Sequence, residues 1–511
     1  MSLPAADGKV SLATWLGFGM MCLAMFMAIL DVQVVATSLG VIKSALKIGQ
    51  DQISWIQTAY LTAEVIAIPL TGLLQRTLSM RWLVVGAVAT FTAASVGCAA
   101  SDSFAVLIGW RIVQGFAAGA IIPTVFSAVF LLIPERRQAL ATTLAGVTAV
   151  LAPIVGPIVG GWITQTYSWH WLFLINVTPG VIAAASCAWL LPREGTRMGA
   201  LRGLDVVSLL AMAAGLAALE IGLKEAPDRG WLSPVAGGLL GLALACAALF
   251  MFRTVRAARP IVMLKTFRDP AFSVACLLSF VLGMGLFGSV YLMPAFLAFA
   301  RGHGALEIGR IMLVTGAAQL VAAPIAVALE RRIAPRLLSA IGFAVFGVGL
   351  LMSINQTPDT DFAEMIWPQI VRGAAVMFCV LPPTRLALGG LAAEAVPDAS
   401  ALFNLMRNLG GAIGLALVDT VIYGRSPALA NHIVDRLKAG DTATAHAVGI
   451  PLALFDPHQP VTPAIQALLR PMVERLAFVQ AVNEAWLMVG VLTLLVLLAI
   501  PFAGARRSVA S

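Results

Sequence analysis

Residues 151–161 read Leu151-Ala152-Pro153-Ile154-Val155-Gly156-Pro157-Ile158-Val159-Gly160-Gly161, inside an apolar stretch long enough to cross a bilayer. Pro153 and Pro157 each remove a backbone donor, and Gly156, Gly160 and Gly161 remove side-chain bulk. A helix that spans lipid with this run must bend and pack very closely against its neighbours. A helix built only to fill lipid has no use for either property, so the run predicts a moving, protein-packed span.

The rest of the chain supports a membrane setting. Hydrophobic residues make up 60% and charged residues 11%, with a mean hydropathy of +0.92. Soluble domains carry about 25% charged residues. A spanning helix takes about 20 mainly apolar residues. That ruler places spans near 14–38, 53–75, 82–100, 104–133, 138–165, 169–191, 204–223, 234–254, 271–299, 305–329, 336–354, 364–390, 399–423 and 480–503. The first is too long for a signal-peptide core and is expected to be retained.

The basic residues sort onto alternate loops. One set of loops holds Arg76 and Arg81, Arg136 and Arg137, Arg193, Arg197 and Arg202, then Arg253, Arg256, Arg259, Lys265 and Arg268, then Arg331, Arg332 and Arg336, with Arg506 and Arg507 in the tail. The other set holds only Lys43, Lys47, Lys224, Arg229, Arg301 and Arg310. The positive-inside rule then puts both termini in the cytoplasm. It also accounts for the net charge of +8, leaving nothing for nucleic acid to explain.

The spans group as six, two and six. Residues 1–195 are expected to form an N-terminal six-helix bundle and 196–262 an inserted two-helix hairpin with basic linkers. Residues 263–511 would form a C-terminal six-helix bundle that includes an extracytoplasmic loop at 424–479. That loop carries Pro427, Pro451, Pro457, Pro460, Pro463 and Pro471, then Ile465, Leu468, Leu469, Met472 and Leu476 at helical spacing. It reads either as a cap over the outer mouth or as a docking surface.

Asp31 lies mid-span in Leu30-Asp31-Val32, and Glu64 mid-span in Ala63-Glu64-Val65. An ionised carboxylate at that depth costs at least several kcal/mol unless it faces a cavity or a partner. Desolvation favours the neutral carboxyl, which suits a group that loads and releases protons. Asp31 therefore reads as a proton carrier or as a permanently protonated packing group. Glu64 reads as its coupled partner or as a substrate contact. Arg111 keeps its charge and demands an acceptor. It leads Arg111-Ile112-Val113-Gln114-Gly115, and Gly115 and Gly119 form a small-xxx-small face. Further ionisable residues within spans are Glu220, Arg372, Arg385, Arg407 and Asp419. Arg385 is expected to reach the cytoplasmic surface. Arg407, beside Gly410, Gly411 and Gly414, reads as a packing residue, and Asp419 as a mouth residue or a cavity residue.

Enzyme signatures are absent: no GxxxxGK[ST] phosphate loop occurs. His170, His303, His432, His446 and His458 lack ligand spacing, and Ser168-Trp169-His170-Trp171 resembles an interfacial aromatic belt. Cys22, Cys98, Cys187, Cys246, Cys276 and Cys379 sit in apolar segments with no CxxC pair and read as lipid- or core-facing thiols. No channel lining is found, since no helix repeats polar residues along one face.

Several motifs together resemble the fourteen-helix drug:proton antiporter family of the major facilitator superfamily, in its EmrB-like branch. They are Leu30-Asp31, Ile68-Pro69-Leu70-Thr71-Gly72, Arg111 to Gly119 against RxxQGxGxA, and Ala152 to Gly161 against GxxxGPxxGG. Trp171 to Val177, Trp367-Pro368-Gln369 and Phe403 to Arg407 with Gly410-Gly411 add to these. The resemblance implies an all-α polytopic protein with the major facilitator fold: two six-helix bundles plus an inserted two-helix hairpin. It implies proton-coupled efflux of hydrophobic or amphipathic toxic compounds across a bacterial inner membrane, with Arg111 linked to proton transfer and no cofactor. It further implies a periplasmic membrane-fusion adaptor and an outer-membrane channel as partners. A stand-alone exporter of one endogenous molecule, such as a fatty acid, siderophore or lipid, is the nearest rival. One motif departs. The GxxxDRxGRR loop of other facilitators reads Gly72-Leu73-Leu74-Gln75-Arg76-Thr77-Leu78-Ser79-Met80-Arg81. Arg76 replaces the aspartate of the usual gating latch, and Ser79 replaces a glycine.

Overall fold

The computed structural model describes residues 10–36, 38–193, 195, 205–257, 260–450 and 463–503. Arg197, Arg202, Arg259, Arg506, Arg507, His458 and the prolines at 451, 457 and 460 lie outside the described residues. In lipid every backbone group must bond within the protein, and the described chain answers with helices. The long ones are α1 (Leu12–Ala36), α2 (Trp55–Leu78), α3 (Met80–Ala99), α4 (Phe104–Leu132), α5 (Glu135–Thr166), α6 (Val177–Leu190), α7 (Val206–Arg229), α8 (Pro234–Arg256), α9 (Pro270–Phe296), α10 (Ala305–Glu330), α11 (Pro335–Leu351), α12 (Phe362–Leu388), α13 (Val396–Lys438) and α14 (Pro463–Leu495). Thirteen apolar spans and the shorter apolar α11 match the expected spans one for one. The sixth is split: a turn at Trp171–Leu174 precedes α6.

The helices form two six-helix bundles plus a hairpin. In the first bundle α1 packs on α5, α2 and α3 on α4, and α3 on α6. The second repeats this with every number raised by eight: α9 on α13, α10 and α11 on α12, and α11 on α14. Two seams join the bundles, α5 against α10 and α2 against α13. The hairpin α7–α8 lays α7 over the second seam, where Leu216 packs with Val65, Ile68 and Leu405. Asp205 caps α7 through the Ser208 N–H and receives Arg253 of α8 at 2.8 Å, which clasps the hairpin.

Residues 424–479 differ from the expected loop. α13 runs unbroken through Pro427 for 43 residues, about 64 Å at 1.5 Å per residue, twice the roughly 30 Å hydrocarbon thickness. α14 begins at Pro463, and Thr442–Val448 forms a short helix between them. Ile433, Leu437, Ala445, Val448, Val473 and Leu476 bury one another there, so this crown has a core of its own. An interior proline costs a helix about 3 kcal/mol or more, through one lost ladder bond and a ring clash, and the apolar contacts of this crown offset it.

Five of the six cysteines are buried and Cys246 is half-buried, all unpaired. Ser79, in the one-residue turn between α2 and α3, takes φ 70° and ψ 159°. That region is essentially glycine's, and holding another residue there costs about 1–3 kcal/mol. The glycine expected at this position thus has a conformational reason. Ser79→Gly should relieve the strain, less about 0.4–1 kcal/mol for a freer unfolded chain. The expected result is a higher melting temperature in detergent; an unchanged or lower one would contradict it.

Candidate functional site

The first bundle encloses a polar network built from four elements. Arg111 and Gln114 lie three residues apart, so α4 presents both on one face. Arg111 donates from Nη1 to Asp31 Oδ2 of α1 at 2.5 Å and to Gln114 Oε1 at 2.7 Å. Gln114 Nε2 donates to Asp31 Oδ1 at 3.1 Å and to Ser95 Oγ of α3 at 2.8 Å. Asn176, just before α6, donates to Asp31 Oδ1 at 2.8 Å. Arg111 Nε donates to the Ile56 carbonyl, and its guanidinium stands 4.3 Å from the centre of the Tyr60 ring. Arg111 and Gln114 are fully buried, and Asp31 and Asn176 are 1% exposed.

Burial at this level is tolerable because the two charges are paired with each other, although Arg111 Nη2 has no hydrogen-bond partner. Asp31 accepts the bonds from Arg111, Gln114 and Asn176. Without that acceptor Arg111 would be a buried charge left alone, which costs about 3–5 kcal/mol. Sequence reasoning quoted Asn176 only as part of a motif. An asparagine within an apolar run was the available signal.

Gly115 and Gly119 do what their spacing predicts. A Cβ on Gly115 would stand 2.9 Å from Tyr60 Cα and closer still to its carbonyl, and one on Gly119 would stand 2.8 Å from Ala67 Cβ. α2 and α4 thus touch backbone to backbone, which sets the depth of Arg111. Gly115→Val should cost about 3 kcal/mol or more, the upper end of overpacking, because no flexible side chain can yield. Loss of monodisperse protein after extraction is the expected observation; wild-type yield and melting would contradict it.

Glu64, 6% exposed, takes no part in the Asp31 network. It lies on α2 beside Val65, the residue that packs under Leu216 of α7. One turn beyond Leu216 on α7 is Glu220, whose Oε2 is buried without a bond.

The opening run lies on one continuous helix, with both prolines inside α5. Its two faces divide the work. A Cβ on Gly156 would press on Gln33 of α1, so the glycine face holds the first bundle together. Ile154 and Ile158 cross the seam and fill the space at Gly316 and Gly309 of α10. Gly160 and Gly161 are buried, and Pro153 is half-buried.

At the arginine-rich face the other seam is locked. Arg76 at the end of α2 forms an ion pair with Asp398 in the first turn of α13, and the Asp398 side chain is fully buried. Gly72 makes room, since a Cβ there would stand 3.0 Å from Asp398 Cα. Where the sequence motif loses its aspartate, Arg76 holds the position and forms this ion pair across the seam. Arg385 does more than reach the surface: it lies 3.8 Å from Glu330 of α10 and from Glu135 of α5. These residues border an opening of about 810 Å³ that also holds Arg136, Arg137, Arg331 and Arg332.

In the second bundle, Gly410 and Gly414 of α13 receive the α9 backbone, with a Cβ on Gly414 only 2.8 Å from Met284 Cα. Gly411 faces the Phe287 ring. The Arg407 guanidinium stands 5.4 Å from the ring centre of Phe126 in the first bundle and 5.5 Å from that of Phe403. Asp419 is half-buried, with Oδ1 unbonded. On that far face Arg301 donates to Asp361 at 2.8 Å, joining the end of α9 to the cap of α12. Burial works to raise the Asp361 pKa; bonds from His303, Arg301 and the Phe362 N–H outweigh it and hold the carboxyl below its usual range.

Comparison with known proteins agrees with this architecture. The sequence profile of the Major Facilitator Superfamily matches residues 21–415. The colistin resistance protein EmrB of Acinetobacter baumannii is 35% identical over 407 residues, 80% of each chain. The multidrug export protein EmrB of Escherichia coli is 31% identical over 401 residues, 78% of each. The fatty acid resistance protein FarB of Neisseria gonorrhoeae is 29% identical over 82% of each. Among solved structures, the human organic anion transporter MFSD10 superposes with a TM-score of 0.60 at 13% identity, covering 95% of this chain and 99% of that one. The proton:xylose symporter XylE gives 0.57 at 12%, covering 96% and 95%. At such identities these two speak for the fold alone.

Proposed function

The chain belongs to the Major Facilitator Superfamily, and on that premise we propose that it exports hydrophobic and amphipathic toxic compounds, drugs among them, in exchange for protons. The setting is a bacterial inner membrane, with both termini and the arginine-rich face in the cytoplasm. The observation that carries the reading is the Asp31–Arg111–Gln114–Asn176 network buried within the first bundle. A buried carboxylate whose protonation frees an arginine gives the proton a way to change the packing of a helix. Asp31 is the proton-coupling group, Arg111 its counter-charge, and Glu64 the second carboxylate of the pathway. Pro153, Gly156, Pro157, Gly160 and Gly161 allow α5 to flex as the two bundles, residues 1–195 and 263–511, rock about the inserted hairpin 196–262. One proton entering down about 100 mV supplies roughly 2.3 kcal/mol, and no cofactor is needed.

The relative named for fatty acid resistance favours including amphiphilic acids in the cargo, and keeps a dedicated exporter of one such endogenous molecule as the second reading. The helical crown on α13 and α14 is the surface offered to a periplasmic adaptor leading to an outer-membrane channel. Co-purification with an adaptor supports that partnership, and undiminished resistance in a strain lacking every adaptor contradicts it. The function is tested in everted vesicles holding a proton gradient. A panel of drugs should release the gradient only where the protein is present; no compound doing so would reject the reading.

A further inference from the structure

The pseudo-repeat sets two arginines side by side for comparison. α12 stands in the second bundle where α4 stands in the first, and each carries a buried arginine. Arg111 finds its counter-charge on α1, in Asp31. Arg372 is 4% exposed and forms no ion pair. Its Nη1 has no hydrogen-bond partner, its Nη2 reaches only Met293 Sδ at 3.5 Å, and its guanidinium stands 4.6 Å from the Trp486 ring centre. Among the described residues Arg372 has no acidic partner, and only the Trp486 ring offsets the cost of burying its charge.

The surroundings of Arg372 are also short of partners. Gln319 of α10 is fully buried with both its amide oxygen and nitrogen unbonded. Gln369 is fully buried, accepts from Thr315 Oγ1 at 3.0 Å and leaves its Nε2 unbonded. Arg372, Gln319 and Thr315 line one cavity, with Met293, Met312 and Phe346 as its apolar wall. Val150 and Ile154 of α5, from the first bundle, also line it. The cavity therefore lies on the seam that the proline–glycine run forms. Its free space here is about 20 Å³, room for about one water. Gly349 and Gly373 show that the place is built: a Cβ on Gly349 would stand 2.9 Å from Arg372 N, and one on Gly373 2.9 Å from Ala318 Cβ.

We propose that this cavity is a cargo subsite for a carboxylate, with Arg372 as its counter-ion, Gln319 as a further donor, and the methionine–phenylalanine wall holding the apolar body of an amphiphilic acid. A guanidinium fork matches a carboxylate in shape as well as charge. The first bundle carries its own anion for the proton step; the second awaits one from the cargo. The assignment rests on the transport reading only in taking the occupant to be cargo.

The test uses the purified full chain in neutral detergent, with 1-pyrenebutyrate and the uncharged 1-pyrenebutanol as probes in equilibrium dialysis. The wild type is expected to bind the carboxylate at least tenfold more tightly than the alcohol. Arg372→Gln should reduce that preference to threefold or less, and Gln319→Leu should weaken pyrenebutyrate at least threefold while leaving pyrenebutanol unchanged. The second variant keeps the test open should the first not fold. A wild type without preference, an undiminished preference in Arg372→Gln, or equal loss of both probes would overturn the assignment. Gradient-driven ethidium transport by the same preparation tests export separately: its absence would end the transport reading and leave the binding preference standing.

Discussion

Asp31→Asn is expected to abolish proton-driven export while the protein still inserts and folds into its bundles. Asparagine keeps the shape of the side chain and its bonds to Gln114 and Asn176 after an amide rotation, so the helices have little reason to part. What it removes is the charge opposite Arg111, 2.5 Å away and fully buried. A buried guanidinium left without its acid costs about 3–5 kcal/mol, and an amide side chain neither binds nor releases a proton near neutrality. Uphill efflux of ethidium in cells should fall to the level of the empty strain, at wild-type abundance in the membrane. Wild-type efflux by this variant would remove Asp31 from the coupling step. Arg111→Lys should not be a mild change, because a lysine has no fork to serve Asp31 and Gln114 together.

The second large effect is expected at the Arg76–Asp398 ion pair. Arg76→Asp would place two carboxylates in the buried contact between α2 and α13, and Asp398→Arg would place two guanidinium groups there. Breaking a buried pair costs about 3–5 kcal/mol, which shifts an open–closed equilibrium by two to three powers of ten. Either single change should leave the arginine-rich face open and reduce export at least tenfold. The double change Arg76→Asp/Asp398→Arg restores an opposite-charge pair, and should recover most of the activity. The readouts are ethidium efflux and the thiol accessibility of a cysteine placed at Thr142, on the border of the opening at that face. A double variant no better than the singles would show that the pair is not a latch.

Much of this was legible in the sequence because membrane spans obey a single dominant rule. Length and apolarity placed most helices within a few residues, missing chiefly the far ends of α13 and α14, and the cost of a buried charge marked Asp31, Glu64 and Arg111 before any partner was known. Partnership is what the sequence withheld. Asp31 meets Arg111 across 80 positions and Asn176 across 145, and nothing local encodes either meeting. Asp398 stands in the first turn of α13 after Pro397, and nothing local encodes its contact with Arg76. Arg372 stood only among the further ionisable residues of the spans, and nothing in the sequence marked it as lacking the acid that Arg111 has. For the crown the helical spacing of Ile465 to Leu476 was legible, whereas the continuation of α13 through Pro427 and the mutual burial of Ile433, Leu437, Val473 and Leu476 were not.

The central claim is that a proton gradient, through Asp31, drives cargo uphill. Proteoliposomes containing the purified protein and loaded with ethidium-binding DNA measure this directly. An imposed pH gradient of the correct sign should drive ethidium accumulation, an ionophore that collapses the gradient should stop it, and Asp31→Asn should show none. Equal accumulation with and without the gradient, or gradient-driven accumulation by Asp31→Asn, would contradict the account.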